Sequence, residues 1–186
     1  MHFSAALLSL ATTALAIDIR GHANSNCGGG FRACTNINPN VCCVFSTSAS
    51  SGLLSVSIAA IPTSWRITGE AYTGGGCSFL GGQWDSNGTP DICMPFSSRG
   101  DRTGGRYWFR SRKRADDRSC PAEQAGVGKC EAAAKPDTLV LADGTKYSIS
   151  GLADDKVEEM SKIADSGAGA DAMPAEFQVL RRDVKA

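Results

Sequence analysis

The chain has 186 residues, 19 basic and 19 acidic side chains, eight cysteines and two histidines. No CxxC pair is present and histidines are nearly absent, which argues against a structural zinc site. No segment carries the roughly 20 consecutive apolar residues that a membrane-spanning helix needs.

Residues Met1 to Ala16 read MHFSAALLSLATTALA, an apolar run followed by small residues ending Ala14-Leu15-Ala16. This pattern predicts a secretory signal peptide (residues 1–16) cut after Ala16. All eight cysteines, Cys27, Cys34, Cys42, Cys43, Cys77, Cys93, Cys120 and Cys130, then fall in the mature chain. An even count in a secreted chain predicts four disulfides. The expected location is extracellular.

Residues 17–110 read as a cysteine-rich all-β domain. Across Leu54 to Ala60, Leu54, Val56, Ile58 and Ala60 face one way while Ser55 and Ser57 face the other. Across Trp65 to Tyr72, Trp65, Ile67 and Ala71 oppose Arg66, Thr68, Glu70 and Tyr72. Period-two alternation marks half-buried antiparallel strands, and Asn87-Gly88 with the glycine clusters marks turns. The adjacent Cys42 and Cys43 should point to opposite strand faces and so reach different partners.

Residues 111–118 read as a basic linker that overlaps the end of the run Arg99 to Arg114, RGDRTGGRYWFRSRKR, which has seven basic residues and one acid. Three readings compete here. The Lys113-Arg114 pair, preceded by further arginines, resembles a kexin-type processing site. Alternating Arg106, Trp108, Arg110 and Arg112 would form an arginine–aromatic face suited to an anionic partner. The third reading is a solvated edge strand protected by its charge. Cutting after Arg114 would leave six cysteines before it and two after it. It would also divide the charge, +5 from Ile17 to Arg114 and −5 from Ala115 to Ala186.

Residues 119–186 read as an acidic hairpin-helix unit. Thr138 to Ile149 suggests a hairpin turning on Asp143-Gly144, with Thr138, Val140, Ala142, Thr145, Tyr147 and Ile149 on one face. Asp154-Asp155 would cap a helix ended by Gly167, with Val157, Met160, Ile163 and Ala164 as its apolar stripe.

Chemistry for catalysis is sparse. There is no GxSxG, and a Ser/His/Asp arrangement would have to use His22, close to the N-terminus. Glu70, Asp85, Asp91 and Asp101 are the carboxylates available to a glycosidase in the first unit beyond Asp18. Asp85-Ser-Asn87-Gly88 is half of a calcium-loop pattern without the remaining ligands. Asn87-Gly-Thr89 is a glycosylation sequon, followed by Pro90. Arg99-Gly100-Asp101 matches an integrin-binding tripeptide, a match short enough to arise by chance. No catalytic residue, metal or cofactor is assigned.

The stretch Cys27-Gly-Gly-Gly-Phe-Arg-Ala-Cys34, then Asn36-Ile-Asn-Pro-Asn-Val-Cys42-Cys43 and Gly74-Gly-Gly-Cys77, resembles the cysteine-rich secreted proteins of filamentous fungi. Some of these are small β-sandwiches similar to the βγ-crystallin and killer-toxin folds. The resemblance implies an effector-like, toxin-like or cell-surface protein and carries over no active site. The expected fold is α+β, a disulfide-stapled antiparallel β-sandwich followed by a small β-hairpin plus helix. The expected function is non-enzymatic binding of an extracellular host or competitor-cell target, with an anionic target in view and nucleic acid not expected. A secreted hydrolase and a structural wall protein are the alternatives.

Overall fold

The computed structural model describes residues 17–96, 101–110 and 132–182. The expected signal peptide with Ala16, the basic residues Arg112, Lys113 and Arg114, and Cys120 and Cys130 lie outside the described residues.

Among the described residues twelve strands and one α-helix follow in chain order: β1 (Ile17–His22), β2 (Phe31–Ile37), β3 (Cys42–Val44), β4 (Ser55–Ala59), β5 (Ile67–Thr73), β6 (Phe79–Asp85), β7 (Ile92–Pro95), β8 (Gly104–Phe109), β9 (Ala133–Ala134), β10 (Thr138–Val140), β11 (Lys146–Ser148), α1 (Asp154–Asp165) and β12 (Arg181–Arg182). They build a seven-stranded sheet, β12-β11-β10-β2-β1-β4-β7, and a five-stranded sheet, β6-β5-β8-β3-β9. Pairing is antiparallel except between β3 and β9, which run parallel through Cys42 and Ala133. The expected sandwich is therefore not wholly antiparallel.

The alternation seen in the sequence sets which face of each strand joins the apolar core, although β4 and β5 are buried along their whole length and not half-buried as expected. Val56 and Ile58 of β4 and Ile67 and Ala71 of β5 enter one core with Ile17, Ile19, Met94 and Tyr107. Ser55, Ser57, Thr68, Glu70 and Tyr72 take the opposite faces of the same two strands. The sheets approach closely at glycines. A Cβ on Gly105 would lie 2.7 Å from Ile19 Cγ2 and 2.9 Å from Val56 Cγ1, so β8 can sit here only without a side chain.

Among the described residues three disulfides join the elements: Cys27–Cys93, Cys34–Cys43 and Cys42–Cys77. Cys43 ties the five-stranded sheet to β2 of the other sheet through the core, and its neighbour Cys42 turns away to reach the β5–β6 loop.

The hairpin extends the large sheet, since β10 pairs with β2. Leu139 pairs with Tyr147, and Gly144 N–H donates to the Leu141 carbonyl. The loop is therefore Ala142-Asp143-Gly144, three residues rather than two, with Gly144 at φ +85°. This corrects the expected face by one position on β10. Leu139, Leu141, Tyr147 and Ile149 enter a second core with Met160 and Ala164 of α1 and with Met173 and Phe177. Leu139 pairs with Arg32, which lies on the face of β2 that carries Cys34, so α1 covers the same side of the large sheet as the five-stranded sheet does. The helix cap is Ala153, which makes no side-chain cap bond. Asp154 and Asp155 occupy the first turn instead, where the helix dipole favours them.

Candidate functional site

The outer face of the five-stranded sheet gathers most of the sequence-predicted site. Glu70 on β5 pairs with Arg106 on β8, and Thr68 pairs with Trp108, so their side chains share a face. The Glu70 carboxylate accepts from Arg106 Nε (2.9 Å) and Nη2 (2.6 Å), Tyr72 Oη (2.5 Å) and Trp108 Nε1 (3.3 Å). Burial works against the Arg106 charge, but the Glu70 contacts outweigh it and raise its pKa. Burial first, and then the Glu70 hydrogen bond, raises the Tyr72 hydroxyl well above its usual range. The Arg106 guanidinium also stands 5.6 Å over the Tyr72 ring.

Arg110 continues the stripe. Its Nη1 meets Asp85 Oδ2 at 2.6 Å, and Thr68 donates to the other Asp85 oxygen at 2.7 Å. Both described arginines of the expected anion-binding face therefore carry a carboxylate partner. Glu70, offered to a glycosidase by the sequence, is saturated by four donors, and Asp85 is engaged at both oxygens. Alternation placed the arginines on one face, but sequence gave no sign of their carboxylate partners, which come from strands 25 to 36 residues away.

Apolar groups are exposed along β6, the sheet edge: Leu80 pairs with Tyr72 on the network's face, while Trp84 pairs with Gly69 and Phe79 with Thr73 on the other. Phe79, Leu80 and Trp84 are exposed at 66%, 44% and 38%. They are three of the six large exposed hydrophobic residues among the described residues, the others being Leu54, Phe96 and Val179.

The other expected positions have local roles. Asn87 is exposed at a turn with φ +48°, and Thr89 of its sequon donates to the Ser86 carbonyl. The Asp101 carboxylate accepts from the Ser51 and Gly52 amides, which lower its pKa. Among the described residues no group of three or more His, Cys, Asp or Glu side chains could hold a metal ion.

His22 is a residue that the sequence reading set aside. It ends β1, which lies inside the large sheet between β2 and β4, and its Nε2 sits 2.9 Å from Ser57 Oγ on β4. Burial, and then the neighbouring Arg20 charge, lowers the imidazole pKa to about 4. A cleft of about 360 Å³ opens beside this pair. The missed signal was the β1 alternation itself: Ile17 and Ile19 face the core and Asp18, Arg20 and His22 face away from it.

A curated protein of Arthroderma benhamiae, described as an uncharacterized secreted protein, is 28% identical over 177 residues, covering 92% of this chain and 88% of the relative. No solved structure matches the chain. The relative and the three disulfides place this protein outside the cell as a secreted protein. A family model, that of the ARB_05566_N N-terminal domain, matches residues 18–137, from β1 through β9, and the chain belongs to that family.

Proposed function

We propose that this secreted protein works by binding and not by catalysis, through the unpaired β6 edge of the five-stranded sheet. The observation that carries this reading is the concentration of Phe79, Leu80 and Trp84 on one edge strand. Edge strands are ordinarily guarded by charge or proline, and this one has no charge before Asp85. Exposed apolar side chains beside an unpaired strand edge suit an extended protein segment, which adds backbone hydrogen bonds as apolar contacts form. The Arg106–Glu70 and Arg110–Asp85 pairs offset their own charges, so they frame the surface more than they attract an anion. An effector-like or antimicrobial protein acting on a host or competitor cell is the role of this kind that a stapled extracellular scaffold serves.

The hydrolase alternative finds its best geometry at Ser57 and His22. A base with pKa about 4 takes a proton from serine poorly at neutral pH, and no carboxylate orients its Nδ1 among the described residues. The test is a labelled mature protein offered to intact host, competitor and producing cells. Saturable binding to host or competitor cells, lost in Leu80→Ser/Trp84→Ala with an unchanged urea midpoint, supports the proposal. Binding unaffected by those changes refutes the β6 surface, and retention only in the producer's own wall favours the structural alternative.

A further inference from the structure

The ladder between β5 and β6 is interrupted at one place. Thr73 pairs with Phe79 and Tyr72 with Leu80, then Ala71 pairs with Gly82, so Gly81 is left as the extra residue of a β-bulge. On a regular strand Phe79 and Trp84, five positions apart, would point to opposite faces. The extra residue reverses that relation. Phe79, opposite Thr73, and Trp84, opposite Gly69, share the face of β6 that continues the core side of β5, where Ala71 is buried. Of the three exposed apolar residues only Leu80 goes to the outer face, beside Tyr72. The bulge therefore decides which of these side chains stand together.

Arg102 packs into the bulge. A Cβ on Gly81 would lie 2.1 Å from Arg102 Nη1 and 2.9 Å from Thr73 Cγ2, so the guanidinium takes the place that a side chain at Gly81 would fill. The second terminal nitrogen, Nη2, donates to the Pro95 carbonyl at the end of β7 in the large sheet. The backbone is held as well. Arg102 N–H donates to the Leu53 carbonyl at 2.9 Å, and Ser51 Oγ donates to the Arg102 carbonyl at 2.7 Å. Arg102 is 1% exposed, and burial lowers its pKa. No carboxylate among the described residues forms an ion pair with it. A buried charge without an opposite partner destabilises the fold, and an apolar side chain of similar length would fill the same space without that cost. Stability alone does not account for an arginine here, whereas a fork that reaches β6 and β7 at once does.

We propose that Arg102 is the positioning residue of the β6 binding surface: its guanidinium, tied to β7 through the Pro95 carbonyl, holds the bulge at Gly81 and so sets Phe79 and Trp84 on one face. This role rests on β6 being the binding edge, and the two can fail separately.

Arg102→Met keeps the stem and removes the charged fork. Its urea midpoint should be unchanged or higher, because a buried charge is gone. Its binding to host or competitor cells should nevertheless fall on the order of tenfold, the loss that follows when an aromatic anchor is misplaced. NMR of the mature protein gives a readout that needs no partner. The indole N–H resonance missing from Trp84→Ala belongs to Trp84, and it should move in Arg102→Met while those of Trp65 and Trp108 stay in place. Gly81→Ala is the second variant, since its methyl group displaces the guanidinium without changing any charge. It should move the same resonance and weaken the same binding. A Trp84 resonance unmoved in both variants would overturn the proposal, and so would a lowered urea midpoint in Arg102→Met with that resonance unmoved. If Leu80→Ser/Trp84→Ala abolishes binding and Arg102→Met leaves it intact, the β6 edge stands and the role of Arg102 falls. If neither variant alters binding, the β6 edge itself is wrong and the role of Arg102 falls with it.

Discussion

Replacing Glu70 by Gln keeps size and shape but removes the charge that four donors converge on. Arg106 then keeps its place on β8 with no carboxylate beside it, and the amide NH₂ must turn either toward Arg106 or toward Trp108. A hydrogen bond to a charged group contributes about 1.5–3 kcal/mol, and stripping one member from a buried ion pair costs about 3–5 kcal/mol. The Glu70 side chain is 10% exposed, but that of Arg106 is 31% exposed, so water tempers the loss. We expect a cost of about 2–3 kcal/mol, and a Tm lower by about 4–12 °C in a chain of this size. Urea unfolding followed by tryptophan fluorescence measures it, with Trp108 reporting from inside the network. The pair Glu70→Leu/Arg106→Met should recover part of the loss of either single change, because no charge is then left without its partner. An unchanged midpoint for Glu70→Gln would mean that the network is solvated decoration, and the argument that it spends the face's charge would fail.

Gly105→Ala should destabilise the protein by about 1–3 kcal/mol, since the new methyl group meets Ile19 and Val56 across the sheet interface. Calorimetry of the folded variant checks this, and a neutral result would show that the two sheets yield easily at that point. His22 gives a pH dependence with a defined sign. Its pKa is about 4 in the folded chain against about 6.5 in the unfolded one, so the unfolded chain binds the extra proton and stability falls as pH drops. The contribution is intact above about pH 6.5, is lost progressively down to pH 4, and amounts to about 3 kcal/mol in total. Urea midpoints from pH 7 to 4 in the protein and in His22→Gln measure it, and parallel curves would exclude His22 as the origin.

How much of this was legible in the sequence differs from element to element. The faces of β4 and β5 were readable because apolar and polar side chains alternate along them, but the expected half-burial was not met, since every residue of both strands is buried. The alternation of Arg106, Trp108 and Arg110 was equally visible, but its meaning was not. The identity of the cross-strand neighbour decides whether an arginine is free or paired, and Glu70 and Asp85 arrive there only through the β5–β8 and β5–β6 pairings. The hairpin shows a narrower limit. Asp143-Gly144 fits a two-residue turn and also the last two positions of a three-residue loop with glycine at positive φ, and only the pairing of Leu139 with Tyr147 separates them. His22 was undervalued because closeness to the chain start suggested the periphery of the fold. Spatial strand order, with β1 in the interior of the large sheet, does not follow chain order.

The pairing pattern also changes what cleavage at Lys113-Arg114 would accomplish. Were the secreted chain cut after Arg114, the sequence alone would suggest two separable products of opposite charge. Yet the segment beyond that position supplies β9 to the five-stranded sheet and β10, β11 and β12 to the large one. Among the described residues its attachment to the first part includes the β2–β10 ladder, the β3–β9 pairing, the Thr35–Asp137 hydrogen bonds and the Arg32–Asp165 ion pair. All three disulfides among the described residues lie before Arg114, so none of them bridges the two parts. Strand ladders of this extent, backed by the core under α1, hold fragments together without a covalent link. A cut chain should therefore migrate as one species on native size exclusion and as two on denaturing electrophoresis without reductant. Mild urea should release the acidic part before the Cys27–Cys93 module loses its tryptophan signal. Separation of the two parts under native conditions would mean that the shared sheets contribute little, and would return the acidic part to the status of a detachable pro-segment.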